Sequence, residues 1–247
     1  RHHPACIVMC WRESRMNKSK SGGLLLEILS NHLRSNCDPG LAGILSLSVK
    51  EAYRFLDDLV EREKILKHKD MKKTLGHLRH GLIDVALKQV LQSSSIPHEI
   101  ADETSSKYRN GHTYLMIETK GAIITPAKVF KSRDVPKKAI YRSKGGLLNK
   151  QYNLFEEPAD INAQYDESNP PFLLLTYGGL NHKLEFVTLG LPNVGVLGWI
   201  DQVNITNAPV LLINQEEVSN DLQLTFTSEA EKIIMRGVDN GGKEGAI

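Results

Sequence analysis

The sequence has no uninterrupted apolar stretch of the roughly 18 residues that a membrane-spanning helix needs. Apolar runs such as Phe172 to Leu175 and Val210 to Ile213 are strand-sized. Cysteine is scarce: Cys6, Cys10 and Cys37 are an odd set confined to the start of the chain, which excludes a disulfide framework. No apolar secretory segment stands near the start, so free thiols and a cytoplasmic location are expected. His2, His3, Cys6 and Cys10 do not form the two loop-separated pairs of a structural zinc site, and no metal is assigned to them. The phosphate-binding run GxxxxGK[ST] is missing, and Gly145-Gly146 or Gly178-Gly179 alone make no nucleotide loop. The GxSxG elbow of serine hydrolases is missing too.

What is present is an ordinary globular balance of 247 residues, 40% apolar, 24% charged and 6% aromatic, enough for one or two packed domains. The net charge of +2 hides a strong sorting along the chain. Residues 1–150 hold 27 Lys and Arg against 15 Asp and Glu, whereas residues 151–247 hold 4 against 14. A basic half favours polyanions, because each Lys or Arg that neutralises a phosphate releases a condensed counterion. The acidic half would be repelled by the same polymer and could instead meet a basic protein or the chain's own basic half.

Residues 1–15 read as leader or appended sequence, since Met16 is followed by a polar lead-in, Asn17-Lys18-Ser19-Lys20. Leu24, Leu25, Leu26, Ile28, Leu29 and Leu33 recur at helical spacing, so a helix is expected over Leu24 to Leu33. Cys37-Asp38-Pro39-Gly40 ends it. A short helix is expected at Leu41 to Leu45. A third opens at Ser48, whose hydroxyl with Glu51 fits a capping box, and runs to about Glu63.

The stretch Leu41 to Leu66, with Leu41-Ala42, Leu45, Ser46-Leu47, Ser48, Ala52, Arg54, Leu56, Leu59 and Ile65 at their spacings, resembles a winged helix-turn-helix. Ser46 stands where glycine is commonest at the turn, and Glu63 where glycine often introduces the wing. The resemblance spans about residues 22–75 and implies an exposed recognition helix that enters a major groove. It implies Lys50, Tyr53 and Arg54 as groove-facing residues with Ser48 at the entry. The helix is not basic by itself, because Glu51, Asp57 and Asp58 accompany Lys50 and Arg54. The compensating charge lies beyond it. Residues 62–80 carry Arg62, Lys64, Lys67, Lys69, Lys72, Lys73 and Arg79 against Glu63 and Asp70, and Lys67, Lys69, Lys72 and Lys73 are the expected backbone contacts. Such modules imply a homodimer on double-stranded DNA.

A connecting helix is expected at His77 to Leu91. His77, His80 and Asp84 share one of its faces, read as a polar face rather than a metal site. Asp102 to Asn110 reads as a loop. The period then changes: His112 to Glu118 and Ala122 to Lys128 form a hairpin through Thr119-Lys120-Gly121, and Phe172 to Tyr177 with Leu184 to Leu189 form a second pair. Further strands are expected within Val194 to Thr206 and at Val210 to Asn214. Phe155 to Pro171 reads as a loop, and the last ten residues as frayed. Between the hairpins, Lys128, Lys131, Arg133, Lys137, Lys138, Arg142, Lys144 and Lys150 face only Asp134, with Phe130 and Tyr141 interleaved. That run suits a phosphate-tracking surface, or equally a segment that docks on the acidic part of the chain.

A rival reading makes the chain an enzyme. Glu118-Thr119-Lys120 at a strand end, with Asp102 as a second acid, is the spacing of PD-(D/E)XK-type metal-dependent nucleases, where the carboxylates would hold Mg²⁺ and Lys120 would orient water. No Pro-Asp pair precedes it, and Gly121 draws Lys120 into a turn. The reading taken from the sequence is therefore an α+β protein. Residues 16–75 form a winged helix-turn-helix, and residues 76–247 a connecting helix and a mainly antiparallel β-rich domain that binds a partner or signal. The expected function is DNA-binding transcriptional regulation without catalysis, cofactor, metal or membrane. The alternatives are the Mg²⁺-dependent nuclease and an antitoxin or phage-defence type interaction protein that meets its partner through the acidic C-terminal region.

Overall fold

From Leu41 to Arg62 the apolar residues Leu41, Leu45, Val49, Ala52, Leu56 and Val60 keep one helical period without interruption. The computed structural model follows that period. It describes residues 27–104, 113–149, 165, 169–180 and 182–210. Helix α1 spans Ile28–Asn36, and α2 is a single helix over Leu41–Arg62. Two tight turns at Lys64–Lys67 and Lys69–Met71 lead into α3, Lys72–Gln92. Strands β1 (His98–Thr104), β2 (Thr113–Thr119) and β3 (Ala122–Lys128) follow, then α4 (Ile140–Gly146), β4 (Phe172–Gly178), β5 (Phe186–Pro192) and β6 (Trp199–Asn204). The fold is α+β, with helices first and a six-stranded, mostly antiparallel sheet after them.

The break expected between Leu45 and Ser48 is absent. No glycine or proline stands at Ser46-Leu47-Ser48, so nothing stops a helix whose apolar stripe continues on both sides. Ser48 is fully buried inside α2, and its hydroxyl donates to the Ile44 carbonyl at 2.8 Å rather than capping a helix start. Glu51 accepts from Arg54 instead of reaching back to Ser48. The segment expected to carry the wing is the pair of tight turns and the first turn of α3, which begins at Lys72 rather than His77.

The sheet runs β1-β2-β3-β4-β5-β6 in sequence order, and every pair is antiparallel except β3 and β4. That parallel pair was not expected; it arises because the chain leaves β3, passes through α4 and returns beside the same strand. The β2–β3 hairpin forms as expected, with Gly121 at φ 80°. A Cβ at Gly121 would also collide with the Asn36 carbonyl at the end of α1. The β4–β5 pair and β6 also appear where sought. Strand β1 takes residues through Thr104 that were expected to begin a loop; its polar sequence fits an edge strand paired only with β2.

The register sorts the side chains onto two faces. Ile117 pairs with Ile124, Ile124 with Leu173, Leu175 with Leu189 and Tyr177 with Val187. These meet α2 and α3 in the main core with Leu45, Leu56, Ile83 and Leu87. Each such side chain, fully buried, is worth about 1.5–3 kcal/mol. Helix α1 belongs to the same side, because the Leu29 amide donates to Asp201 of β6 at 2.7 Å. On the other face Phe172 and Leu174 pack with Val196, Ile123, Val135 and Trp199. Covered on both sides, β4 is buried along its whole length. Buried Asn149 ties this second layer down: its Nδ2 donates to the Phe172 and Pro192 carbonyls at 2.9 and 2.8 Å, and its Oδ1 accepts from the Phe172 amide at 2.8 Å.

The expected leader at residues 1–15, most of the loop at Phe155 to Pro171, the strand beyond Val210 and the last ten residues lie outside the described residues. Among the described residues, no helix is long and apolar enough to cross a membrane.

Candidate functional site

The four residues expected at a DNA groove have divided environments. Ser48 is buried, and Tyr53 is 3% exposed, edge-on to the Tyr177 ring at 6.2 Å between centroids. Burial pushes the Tyr53 hydroxyl up to about 12, so it stays protonated. Neither side chain can reach a base. Lys50 is exposed, and Arg54, four residues on along the same face, is half exposed and holds Glu51 at 2.6 Å. Of the four expected backbone contacts, Lys67, Lys69, Lys72 and Lys73 are all exposed, and Lys67 pairs with Glu61 at 2.7 Å.

The three residues of the nuclease reading do not converge. Residues directly opposite in an antiparallel ladder share a face. Asp102 lies opposite Leu115, and Glu118 lies opposite Glu99; Leu115 and Glu118 are three positions apart, so the two acids project to opposite sides of the sheet. Asp102 is taken up by Lys88 of α3, whose Nζ reaches both carboxylate oxygens at 2.8 and 2.7 Å. Lys120 lies in the turn after β2. On α3, His80 Nδ1 stands 3.8 Å from Asp84. Among the described residues, no three His, Cys, Asp or Glu side chains are placed to hold a metal ion.

A different set of residues does converge. The two basic segments separated in the sequence, residues 62–80 and 128–150, meet at a cleft of about 400 Å³ at the carboxyl ends of the parallel pair β3 and β4. Helix α3 contributes Arg79 and His80, the end of β3 contributes Lys128, the following loop Lys137, and α4 Arg142; Tyr177 and Pro126 line it from the sheet. The carboxyl ends of parallel strands are where open α/β sheets collect ligands.

Three of these cations rest on aromatic rings. The Lys128 ammonium lies 4.9 Å from the Phe130 centroid, the Arg142 guanidinium 4.9 Å from Tyr141, and the Arg79 guanidinium 5.5 Å from Tyr53. Tyr141 in turn stacks on Tyr114, with centroids 3.9 Å apart. The carboxylate in the lining, Asp134, accepts from the Lys131 amide of its own loop at 3.0 Å. Among the described residues Lys128 and Lys137 form no ion pair.

Electrostatically the cleft is under tension. Burial lowers the Lys128 ammonium below its usual range, and repulsion from Arg79 lowers it further. Burial also lowers the His80 imidazole, with repulsion from Arg142 next in size. Both shifts disfavour positive charge, and an anion among these groups would reverse them. Sequence reasoning had counted Arg79, Lys128, Lys137 and Arg142 within two separate runs and had weighed His80 only as a metal ligand; Tyr177 and Pro126 it missed. The usable signal was the isolation of Asp134 among eight cations.

Comparison with known proteins leaves this geometry to stand alone. No family model, curated protein or solved structure matches the chain. The site must be argued from its own chemistry.

Proposed function

We propose that this chain binds nucleic acid through backbone phosphates, with duplex DNA as the partner and regulation as the use. The reading does not need a helix-turn-helix. It rests on one observation: the basic residues form a track along α3 that ends in the cleft. Lys72, Gly76 and Arg79 follow at i, i+4 and i+7, and Lys73 and His80 at i and i+7, so the exposed lysines of the first turn stand on the face that lines the cleft. Lys72 and Lys73 also sit at the positive end of the α3 dipole, with no acidic residue in that turn. Like charges gathered there weaken the helix start and attract a polyanion.

The test is retention of random-sequence duplex DNA by the full chain across a salt series, with and without Mg²⁺, reading both mobility and strand integrity. Retention of intact duplex should fall steeply with salt. Retention that is absent at low salt overturns the reading. Mg²⁺-dependent cleavage lost on Glu118→Ala would replace it with the nuclease.

A further inference from the structure

The cleft is shaped for something smaller than a duplex. Its cations line a concavity, with Arg79 buried, Arg142 half-buried and Lys128 and Lys137 exposed, whereas duplex phosphates are flanked by further phosphates and present a convex surface. A cavity of about 400 Å³ falls within the range of small-molecule sites. Arg79 is 8% exposed, so its guanidinium is fixed by packing rather than free to follow a polymer. Lys128, Lys137 and Arg142 approach from three other segments, and the Asp134 carboxylate is tied to its own loop. Four cations lining one concavity, Arg79 fixed among them by packing, match a group that carries nearly two charges on three oxygens, which is a terminal phosphate rather than a diester.

The rim supplies a second element. Phe130 is 77% exposed, a large apolar ring left in water two residues after β3. The Lys128 ammonium lies near this ring, placing a planar stacking surface beside the cations. Phosphate-binding cations next to an open aromatic ring are what a nucleotide requires.

We infer that this cleft binds a phosphomonoester attached to a planar base, with Arg79, Lys128, Lys137 and Arg142 holding the phosphate and Phe130 stacking on the base. Two sources carry that chemistry: a free nucleoside 5′-monophosphate and the 5′-phosphorylated end of a strand. The site does not depend on the duplex reading, because neither source is a duplex backbone.

The experiment is calorimetric titration of the full chain with adenosine 5′-monophosphate, adenosine, inorganic phosphate, and a tetranucleotide with and without its 5′-phosphate. Saturable binding of the monophosphate, weaker binding of phosphate and none of adenosine are expected. Lys128→Gln and Lys137→Gln, both at exposed positions that leave the fold intact, should each weaken the monophosphate by about tenfold. Phe130→Ala should weaken the monophosphate and leave inorganic phosphate unchanged. A 5′-phosphorylated tetranucleotide that binds at least as well as the free nucleotide identifies the strand end as the source; exclusion of the tetranucleotide identifies the free nucleotide. Absence of saturable binding of every phosphomonoester at low salt overturns the inference, as does binding that survives Lys128→Gln and Lys137→Gln but falls with Lys72→Gln. Duplex retention is scored separately, so either proposal can fail alone.

Discussion

Two basic regions of this molecule look alike as letters and differ as chemistry. The turns between α2 and α3 hold lysines that stand in water, and the one that finds a carboxylate does so on the surface, as Lys67 does with Glu61. The cleft brings Arg79, Lys128, Lys137 and Arg142 to one concavity, three of them against aromatic rings, and there burial and repulsion from Arg79 already act against the Lys128 charge. The difference teaches that a run of lysines measures attraction at a distance, whereas a site is made by the loss of water around the charges. Scattered lysines steer any polyanion; cations gathered with a buried arginine in one concavity select a particular ligand.

The sharpest way to break this contrast is charge reversal in each region. Lys128→Glu should weaken a nucleoside monophosphate by about 10–100-fold, whereas Lys69→Glu should leave it within about twofold, since Lys69 is exposed outside the cleft lining and its charge is screened by water and salt. Equal losses in calorimetry would erase the distinction. Next in size is the duplex. Lys72→Ala with Lys73→Ala should reduce the slope of log affinity against log salt by about 1.8, at about 0.9 per phosphate contact, while Lys137→Ala should change it little.

A smaller effect concerns protons. Because burial and Arg142 hold the His80 imidazole low, the free protein leaves it neutral near pH 7, and an anion in the cleft should raise it. Nucleotide binding near pH 6 should therefore take up protons, beyond those exchanged by the phosphate itself. His80→Gln should abolish that excess in titrations run in buffers of different ionisation heat. Smallest of all is a stability effect outside both regions. His32 is 4% exposed, donates from Nε2 to the Gly121 carbonyl at 2.7 Å and accepts from Asn36 at 3.1 Å, an arrangement that fits the neutral ring. Burial lowers its folded value below 6.5, the unfolded one, so below pH 6.5 the unfolded chain binds more protons. The stability that the neutral ring contributes is full above pH 6.5 and declines as the pH falls toward the folded value. Urea midpoints at pH 7.5 and 5.5 should show a drop that His32→Gln reduces.

Much of the fold was legible because period and punctuation agreed. The apolar stripe of α3, the Lys120-Gly121 turn and the continuous run Phe172 to Leu175 each called for the element that forms there. Helix α2 departs from the helix-turn-helix expectation because its apolar period is unbroken; Val49, Ala52, Tyr53, Leu56 and Val60 at helical spacing place Tyr53 among the buried residues. Strand β1 was hidden by its polarity, and the parallel β3–β4 pairing by the lack of any local signature for a crossover. The cleft was half legible. Its cations stood out as two runs, but their meeting depends on strand order, which no local spacing encodes.

The parallel pairing of β3 with β4 has a kinetic meaning as well. Hairpins such as β2–β3 close after a two-residue turn, but β4 reaches β3 only after a long excursion through α4, and the entropy of closing that loop must be overcome before any β3–β4 hydrogen bond forms. Arg79 lies before the excursion, Lys128 at its start and Tyr177 beyond it. A chain with only its helices and first hairpin in place would possess every residue of the basic runs but lack the β4 wall that Tyr177 gives the cleft. Ligand binding at this site should therefore appear late in refolding, which makes it a reporter of the completed sheet.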